Sequence, residues 1–350
     1  MLIQQSDTAT LEGKIKAEAF RLGFSLCGFS APGSPEGFSR YEKWLSNGQH
    51  AGMVYLDSLR HRSMRQHPDQ LMPGVKTIIS LGWPYALQKY PEPGMPSVAL
   101  VAGYTAGKDY HILLPAKMDM LIDFIQKELD SEVHTQAFTD SAPILEREIA
   151  ARAGLGWIGR NSCLISPEVG SAFLLAEIFI DYPLQVDPSF TEDRCGTCHQ
   201  CLDACPTSCI QPDRTIDSNR CISYLTIENK GNIIEALMPS IGSWLFGCDI
   251  CQTVCPWNKG TRKNPPQVTP LTWTVEEVLT LLSISPDEFS TRYKDSALLR
   301  SKLKGLQRNA LIWLGNNGTD AEITHIEEFR QQTMDADLID CAEWALNRIK

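Results

Sequence analysis

The chain has 350 residues, 43% hydrophobic and 21% charged, with twelve cysteines and a formal net charge of −10. That length and apolar content suit two or three globular domains. No apolar run approaches the eighteen or more residues of a membrane span, so no membrane-spanning helix is expected. The acid excess disfavours nucleic-acid binding by overall charge, although a local basic face can override the total.

The start, Met1-Leu-Ile-Gln-Gln-Ser-Asp-Thr, has no basic or apolar leader and no twin arginine, so with many thiols a reducing cytoplasm is expected. Residues 10–24 read as an amphipathic helix, with Leu11, Ile15, Ala19 and Leu22 on one stripe. Ser25–Phe29, Val75–Leu81 and Ser97–Val101 are short apolar runs bounded by Gly and Pro, and read as buried strands. A long helix is expected over 112–129, with Pro115 tolerable only in its first turn. Val133–Phe138 reads as a strand, Pro143–Arg152 as a helix ended by Gly154, and Ser171–Ile180 as an apolar strand. Together these predict an α+β or α/β layer domain over residues 1–185.

Two cysteine runs follow, in a loop-rich segment expected to span 186–262. The first is Cys195-x₂-Cys198-x₂-Cys201-x₃-Cys205-Pro206, the ferredoxin spacing for four-iron cubes. Its first three thiolates reach one cube, and the fourth is aimed at the other. The second run, Cys248-x₂-Cys251-x₃-Cys255-Pro256, lacks one ligand, and Cys221 is the upstream candidate. The count then closes as Cys195, Cys198, Cys201 and Cys255 for one cluster, and Cys205, Cys221, Cys248 and Cys251 for the other. Zinc fits triple spacing with two Cys-Pro ends poorly. Haem attachment at Cys195-Gly-Thr-Cys198-His199 leaves Cys201 and Cys205 unexplained. Disulfides are not expected without a secretory leader. Cys209 competes with the assigned ligands, or is a small buried residue.

The stretch Lys263–Pro270 is a proline-rich connector. The remaining segment, 263–350, reads as helical. Leu298–Trp313 and Asp335–Ile349 are periodic around Gly315-Asn-Asn-Gly318, like one HEAT-type helix pair that must dock on the body. Between Arg292 and Arg308 six basic residues stand against one acid, Asp295. Read alone, that run is a solvated helix face.

Outside the cysteines the most informative segment is Thr139-Asp140-Ser-Ala-Pro143-Ile-Leu-Glu146-Arg147. It leads through Gly154-Leu-Gly-Trp157-Ile-Gly159-Arg-Asn161 to Ile165-Ser166-Pro167-Glu168. Asp140 sits between a strand end and a helix start, at the mouth of a sheet where ligands bind, or is itself a helix-start residue satisfying backbone N–H groups. The glycines do not follow the dinucleotide-binding spacing.

These segments resemble the epoxyqueuosine reductases, enzymes of queuosine biosynthesis on transfer RNA. The resemblance rests on Tyr104-Thr-Ala-Gly107-Lys-Asp109-Tyr110-His111, on Asp140–Arg147, and on Gly156-Trp157-Ile-Gly159-Arg-Asn161. It continues through both cysteine runs, Cys248–Asn258, and Gly305-Leu-Gln-Arg308-Asn309-Ala310. The cluster part alone would also fit reductive dehalogenases, which usually carry a twin-arginine leader, or a two-cluster electron carrier. A carrier leaves the long N-terminal segment unexplained.

The resemblance implies an N-terminal α/β cobalamin-binding domain, a ferredoxin-like 2×[4Fe-4S] domain and a C-terminal helical HEAT-like repeat, α+β overall. It implies base-off cobalamin. The motif Asp-x-His-x-x-Gly for a lower axial histidine is absent, since Leu114 follows Asp109-Tyr-His111 where Gly is required. It also implies an external electron donor such as flavodoxin or ferredoxin, and a tRNA substrate. It carries the proton-donor role onto Asp140, whose carboxyl would need a raised pKa in a dry pocket beside the corrin and Trp157. Arg147 would face a substrate phosphate or ribose, or make a surface salt bridge beside Glu146. Ser166 and Pro167 are substrate-loop candidates, and Arg65 and Ser218 cobalamin-contact candidates. Lys302, Lys304 and Arg308 would hold the tRNA backbone.

Overall fold

The structure, a computed structural model, describes residues 9–91, 95, 97–259 and 268–349. The chain start, residues 1–8, and residues 263–267 of the expected connector lie outside the described residues.

Helix α1 (Leu11–Leu22) begins at Thr10, whose hydroxyl accepts the Gly13 N–H, and stops at Gly23, which takes the left-handed φ of 108°. Then come β1 (Leu26–Ser30), α2 (Phe38–Ser46), α3 (Leu59–Gln66), β2 (Thr77–Pro84), β3 (Ala99–Val101) and α4 (Tyr110–Leu129). Next are β4 (Thr135–Phe138), α5 (Glu146–Arg152), β5 (Trp157–Ile158), β6 (Leu164–Ile165) and β7 (Phe173–Ile180). The cysteine-rich stretch holds α6 (Gln200–Ala204), α7 (Ile222–Ile227), α8 (Met238–Ile241), β8 (Trp244–Phe246) and α9 (Ile250–Thr253). Strand β9 (Thr272–Trp273) precedes α10 (Val275–Ser283), α11 (Pro286–Arg292), α12 (Lys302–Asn317), α13 (Ile323–Gln332) and α14 (Ala336–Ile349).

The main sheet runs β1-β2-β7-β4, and every neighbouring pair is antiparallel. The N-terminal layer is therefore α+β; the α/β alternative fails because a mixed order of helices and strands does not fix strand direction. Alternation sorts each strand between two faces. Ile79, Leu81, Ala176 and Ile178 pack beneath α1 and α4 with Ile15, Leu121 and Ile125. Each fully buried aliphatic side chain there contributes about 1.5–3 kcal/mol. Ile78 and Phe179 face the other way, toward Ile144 and Ile149 beside α5.

Two helix starts differ from expectation, and both differences shape the site. Helix α4 begins two residues early because the Asp109 carboxylate caps it, accepting the His111 N–H at 2.9 Å. Pro115 then falls in the second turn, and Tyr110 and His111 occupy the first. Helix α5 begins at Glu146 rather than Pro143, so Pro143–Leu145 form an approach to it.

A second sheet, β8-β3-β9, ties the three expected domains together, with β3 parallel to β8 and antiparallel to β9. One core contains Leu100, Leu225, Trp244, Phe246, Leu306, Trp313 and Leu346. The C-terminal helices thus share a core with the cysteine-rich stretch. Gly315 does not break the helical pattern: it lies inside α12, where a Cβ would stand 2.5 Å from the Trp344 ring.

Candidate active site

Between β4 and α5 the chain turns sharply at Asp140. The Thr139 carbonyl accepts the Ser141 N–H at 2.6 Å, and Asp140 has φ 54°. A residue bearing a Cβ pays for this left-handed conformation, Asp less than most. The Asp140 side chain is 59% accessible because it opens into cavities. It stands at the junction of two. One, of about 420 Å³, is lined by Tyr41, Trp44, Arg65, Ile144 and Arg147. The other, of about 680 Å³, is lined by Tyr110, His111, Cys221, Tyr224 and Arg300. Met53, Arg147, Ile216 and Ser218 line both.

The early start of α4 aims its first turn at this carboxylate. Tyr110 Oη donates to Asp140 Oδ2 at 2.7 Å, and His111 Nε2 lies 3.7 Å from the same oxygen. His111 Nδ1 is 2.8 Å from Asp109 Oδ1. The enclosing cavity walls oppose ionisation of Asp140, but the His111 ring nearby and the hydrogen bond from Tyr110 outweigh them and hold its pKa below the ordinary value. The expected raised pKa is therefore corrected: the carboxylate is stabilised as an anion. The complement is His111, whose pKa is raised by the Asp140 carboxylate beside it, against burial and with help from Asp109. Burial also raises the Tyr110 phenol, which stays a donor.

Arg147 crosses the cavity wall to the Ser162 carbonyl and hydroxyl, the latter at 3.0 Å, rather than pairing with Glu146. Arg65 is buried with its guanidinium 5.3 Å from the Tyr41 ring centroid, and Ser218 is fixed by its N–H to the Gln49 carbonyl. Both reach the cavities.

Other expected residues fall elsewhere. Ser166 and Pro167 line neither cavity; the Ser166 hydroxyl accepts the Glu168 N–H in its own turn. Trp157 lies at the cysteines, its Nε1 donating to Cys195 Sγ at 3.4 Å, and not beside Asp140. Arg308 is corrected outright. It is 2% exposed, its guanidinium donating to the carbonyls of Leu225, Asn229 and Gly231, so it cannot reach a phosphate. Lys304 is paired with Asp335 and Asp337, and Lys302 is exposed.

Cys195, Cys198, Cys201 and Cys255 line one void with Arg160 and Trp257, so the second run crosses over to the first. Cys248 has Cys221 and Cys205 as electrostatic neighbours, and Cys251 has Cys248, Cys221 and Cys201. The two sets therefore adjoin, and Cys221 of the second set faces the larger cavity. Among the described residues no three His, Cys, Asp or Glu side chains close on one metal ion. Cys209 wedges between Cys205, 3.5 Å away, and Cys221.

Residues 194–258 match the 4Fe-4S double cluster binding domain, and residues 65–141 match the family described as Epoxyqueuosine reductase QueG, DUF1730. The chain is 42% identical over 301 residues to an epoxyqueuosine reductase of Leadbetterella byssophila, covering 85% of this chain and 96% of that one. The structure of epoxyqueuosine reductase from Streptococcus thermophilus superposes with TM-score 0.84 at 30% identity, covering 96% of this chain and 89% of the other. A crystal structure of epoxyqueuosine reductase with an epoxyqueuosine-modified tyrosine tRNA stem loop gives 0.81 at 26% identity, covering 98% and 100%.

Proposed function

The chain belongs to the epoxyqueuosine reductase family, and from that membership we propose that it reduces epoxyqueuosine to queuosine in a tRNA anticodon loop, in the cytoplasm. It is an oxidoreductase. The epoxide takes up two electrons and two protons, yielding an alkene and one water.

The residues fit the expected cofactors. Cys195, Cys198, Cys201 and Cys255 around one void, near Trp157 and Trp257, would hold one cluster, and Cys205, Cys221, Cys248 and Cys251 would hold the other, with Cys221 facing the larger cavity. Arg65, Ser218, Tyr41 and Trp44 offer a polar and aromatic wall for a corrin. Both ring nitrogens of His111 face carboxylates, Asp109 and Asp140, which suits it to hold a proton. When bound, cobalamin supplies a strongly reducing centre at the epoxide, and two [4Fe-4S] clusters supply electrons one at a time from a donor such as flavodoxin or ferredoxin.

The protein's own part is proton delivery and positioning. As the C–O bond opens, the oxygen gains charge and takes a proton from the Asp140 carboxyl. Asp140, an anion at rest, is supplied by the His111 imidazolium, while Tyr110 fixes Oδ2. Arg147 anchors the substrate's ribose or phosphate from the shared wall. The modified base enters unstacked from its loop, as single-stranded recognition allows.

The observation that carries this reading is the position of Asp140, between an aromatic-walled cavity and one that reaches a cluster thiol. Anaerobic protein loaded with cobalamin and iron–sulfur clusters should convert an epoxyqueuosine stem loop to queuosine when supplied with reductant. No conversion by fully loaded, reduced protein would overturn it.

A further inference from the structure

Behind the Asp140 turn lies a second pair of acids that the reaction does not use. Glu146, first residue of α5, accepts the Asp140 backbone N–H through Oε1 at 2.7 Å. Glu177, on β7, points from the sheet toward α5 and is 0% exposed, with neither carboxylate oxygen paired to a hydrogen-bond donor. Its carboxyl instead meets that of Glu146. Two ionised carboxylates only accept, so they bond to each other when one carries a proton. Opposite Glu177 in the β2 register stands Ser80, whose buried hydroxyl also has no partner.

We propose that Glu146 and Glu177 share one proton as a carboxyl–carboxylate pair, and that this pair latches the Asp140 turn in the position from which it delivers its proton. Glu177 holds the proton and donates it to Glu146. Glu146, fixed from below, accepts the Asp140 N–H from above and stabilises the left-handed backbone. These are positioning residues, acting through Asp140. Loss of the shared proton leaves two anions in contact, Glu177 fully buried and Glu146 at the cavity wall. Their repulsion drives Glu146 off the Asp140 N–H and loosens the turn.

Surrounding charges agree. Burial is the main force raising the pKa of Glu146, to about 7; the Asp140 charge raises it further, and Arg147 and Arg65 oppose. Burial raises Glu177 well above the ordinary value, with Glu146 adding to it. The two carboxyls are neighbours across the α5–β7 packing, and the pair keeps a single proton, on Glu177, above the pH at which Glu146 ionises.

The role of the latch rests on Asp140 being the proton donor, but its existence does not, so the test reads the latch first. Hydrogen exchange of the Asp140 amide is measured on the cofactor-loaded full chain and normalised to the intrinsic rate at each pH. In the wild type, protection should hold as pH rises through about 7, where Glu146 gives up its own proton, and fall only at the higher pH where Glu177 loses the shared one. Glu177→Gln, which donates an N–H without titrating, should keep the amide protected across that range. Glu146→Ala should lose protection at every pH, and Glu146→Gln, which retains the accepting oxygen, should restore it. Turnover should follow, with Glu146→Ala losing about 10²-fold in kcat at similar KM and Glu146→Gln recovering most of it. Wild-type protection in Glu146→Ala, or the wild-type pH dependence in Glu177→Gln, would overturn the proposal. Lost protection with unchanged turnover would keep the latch but remove Asp140 from proton delivery.

Discussion

His111 sets the pH response of the site. Its raised pKa comes first from the Asp140 carboxylate beside it, whose own pKa is lowered by His111 and Tyr110 against the enclosing cavity walls. The signs are complementary. Stability from Asp140 is present above the ordinary carboxylate range and is lost as pH falls through its lowered value. Stability from His111 is present below its ordinary value and is lost as pH rises through its raised one. Proton supply follows the second limb, so turnover should decline on the alkaline side as His111 loses its proton. His111→Gln should remove that limb and lower kcat about 10²-fold. A pH–rate profile checks it: an unchanged alkaline limb in the variant would assign the proton to another group. Asp140 entered through the family resemblance, since a strand end and a helix start beside it fit a helix-entry residue as well. Its partners were not legible in the sequence. Tyr110 and His111 lie about thirty positions upstream, and only the packing of α4 beside the sheet brings them to it.

Among the elements, α12 shows how a basic run divides on folding. Read linearly, Arg292–Arg308 is one cationic stretch; the helix turns its residues to different environments. Arg308 becomes an internal brace that satisfies three carbonyls of the α7 end and the following loop. Burial lowers its pKa to about 10. Lys304 ties α12 to Asp335 and Asp337 at the start of α14, and Lys302 stays open to solvent. Arg308→Ala should therefore destabilise the fold by about 3 kcal/mol or more, because each stranded buried carbonyl costs about 1–3 kcal/mol. Lys302→Ala should leave stability unchanged. If Lys302 meets a phosphate, its loss should weaken tRNA binding and flatten the log–log salt slope by about 0.7–0.9. Denaturant melts and salt titrations separate the two; a stable Arg308→Ala protein with a flattened slope would return Arg308 to the tRNA surface. Periodicity reports which residues share a helix, but a buried arginine that braces backbone has the same letters as one that binds phosphate.

Across the whole molecule, three sequence segments meet around one cavity, through Asp140, Cys221 and Arg300. The cysteine spacing was readable because cubane ligation demands it locally. The motif and the ligand count also carried the crossover of Cys255 to the first set, whereas the exposure of Cys221 to the larger cavity required the fold. So did the merging of segments through β3, β8 and β9, since pairing partners far apart in sequence leave no local signal. The result is a centre with the cluster thiols on one side, an aromatic wall on another, and a single carboxylate at the junction. The most direct measurement is the single-turnover rate of Asp140→Asn on an epoxyqueuosine stem loop, with cobalamin and iron content determined on the same sample. The account predicts wild-type cofactor loading and stem-loop affinity, with a rate lower by about 10²–10⁴-fold. A near-wild-type rate from a fully loaded, fully reduced variant would contradict it.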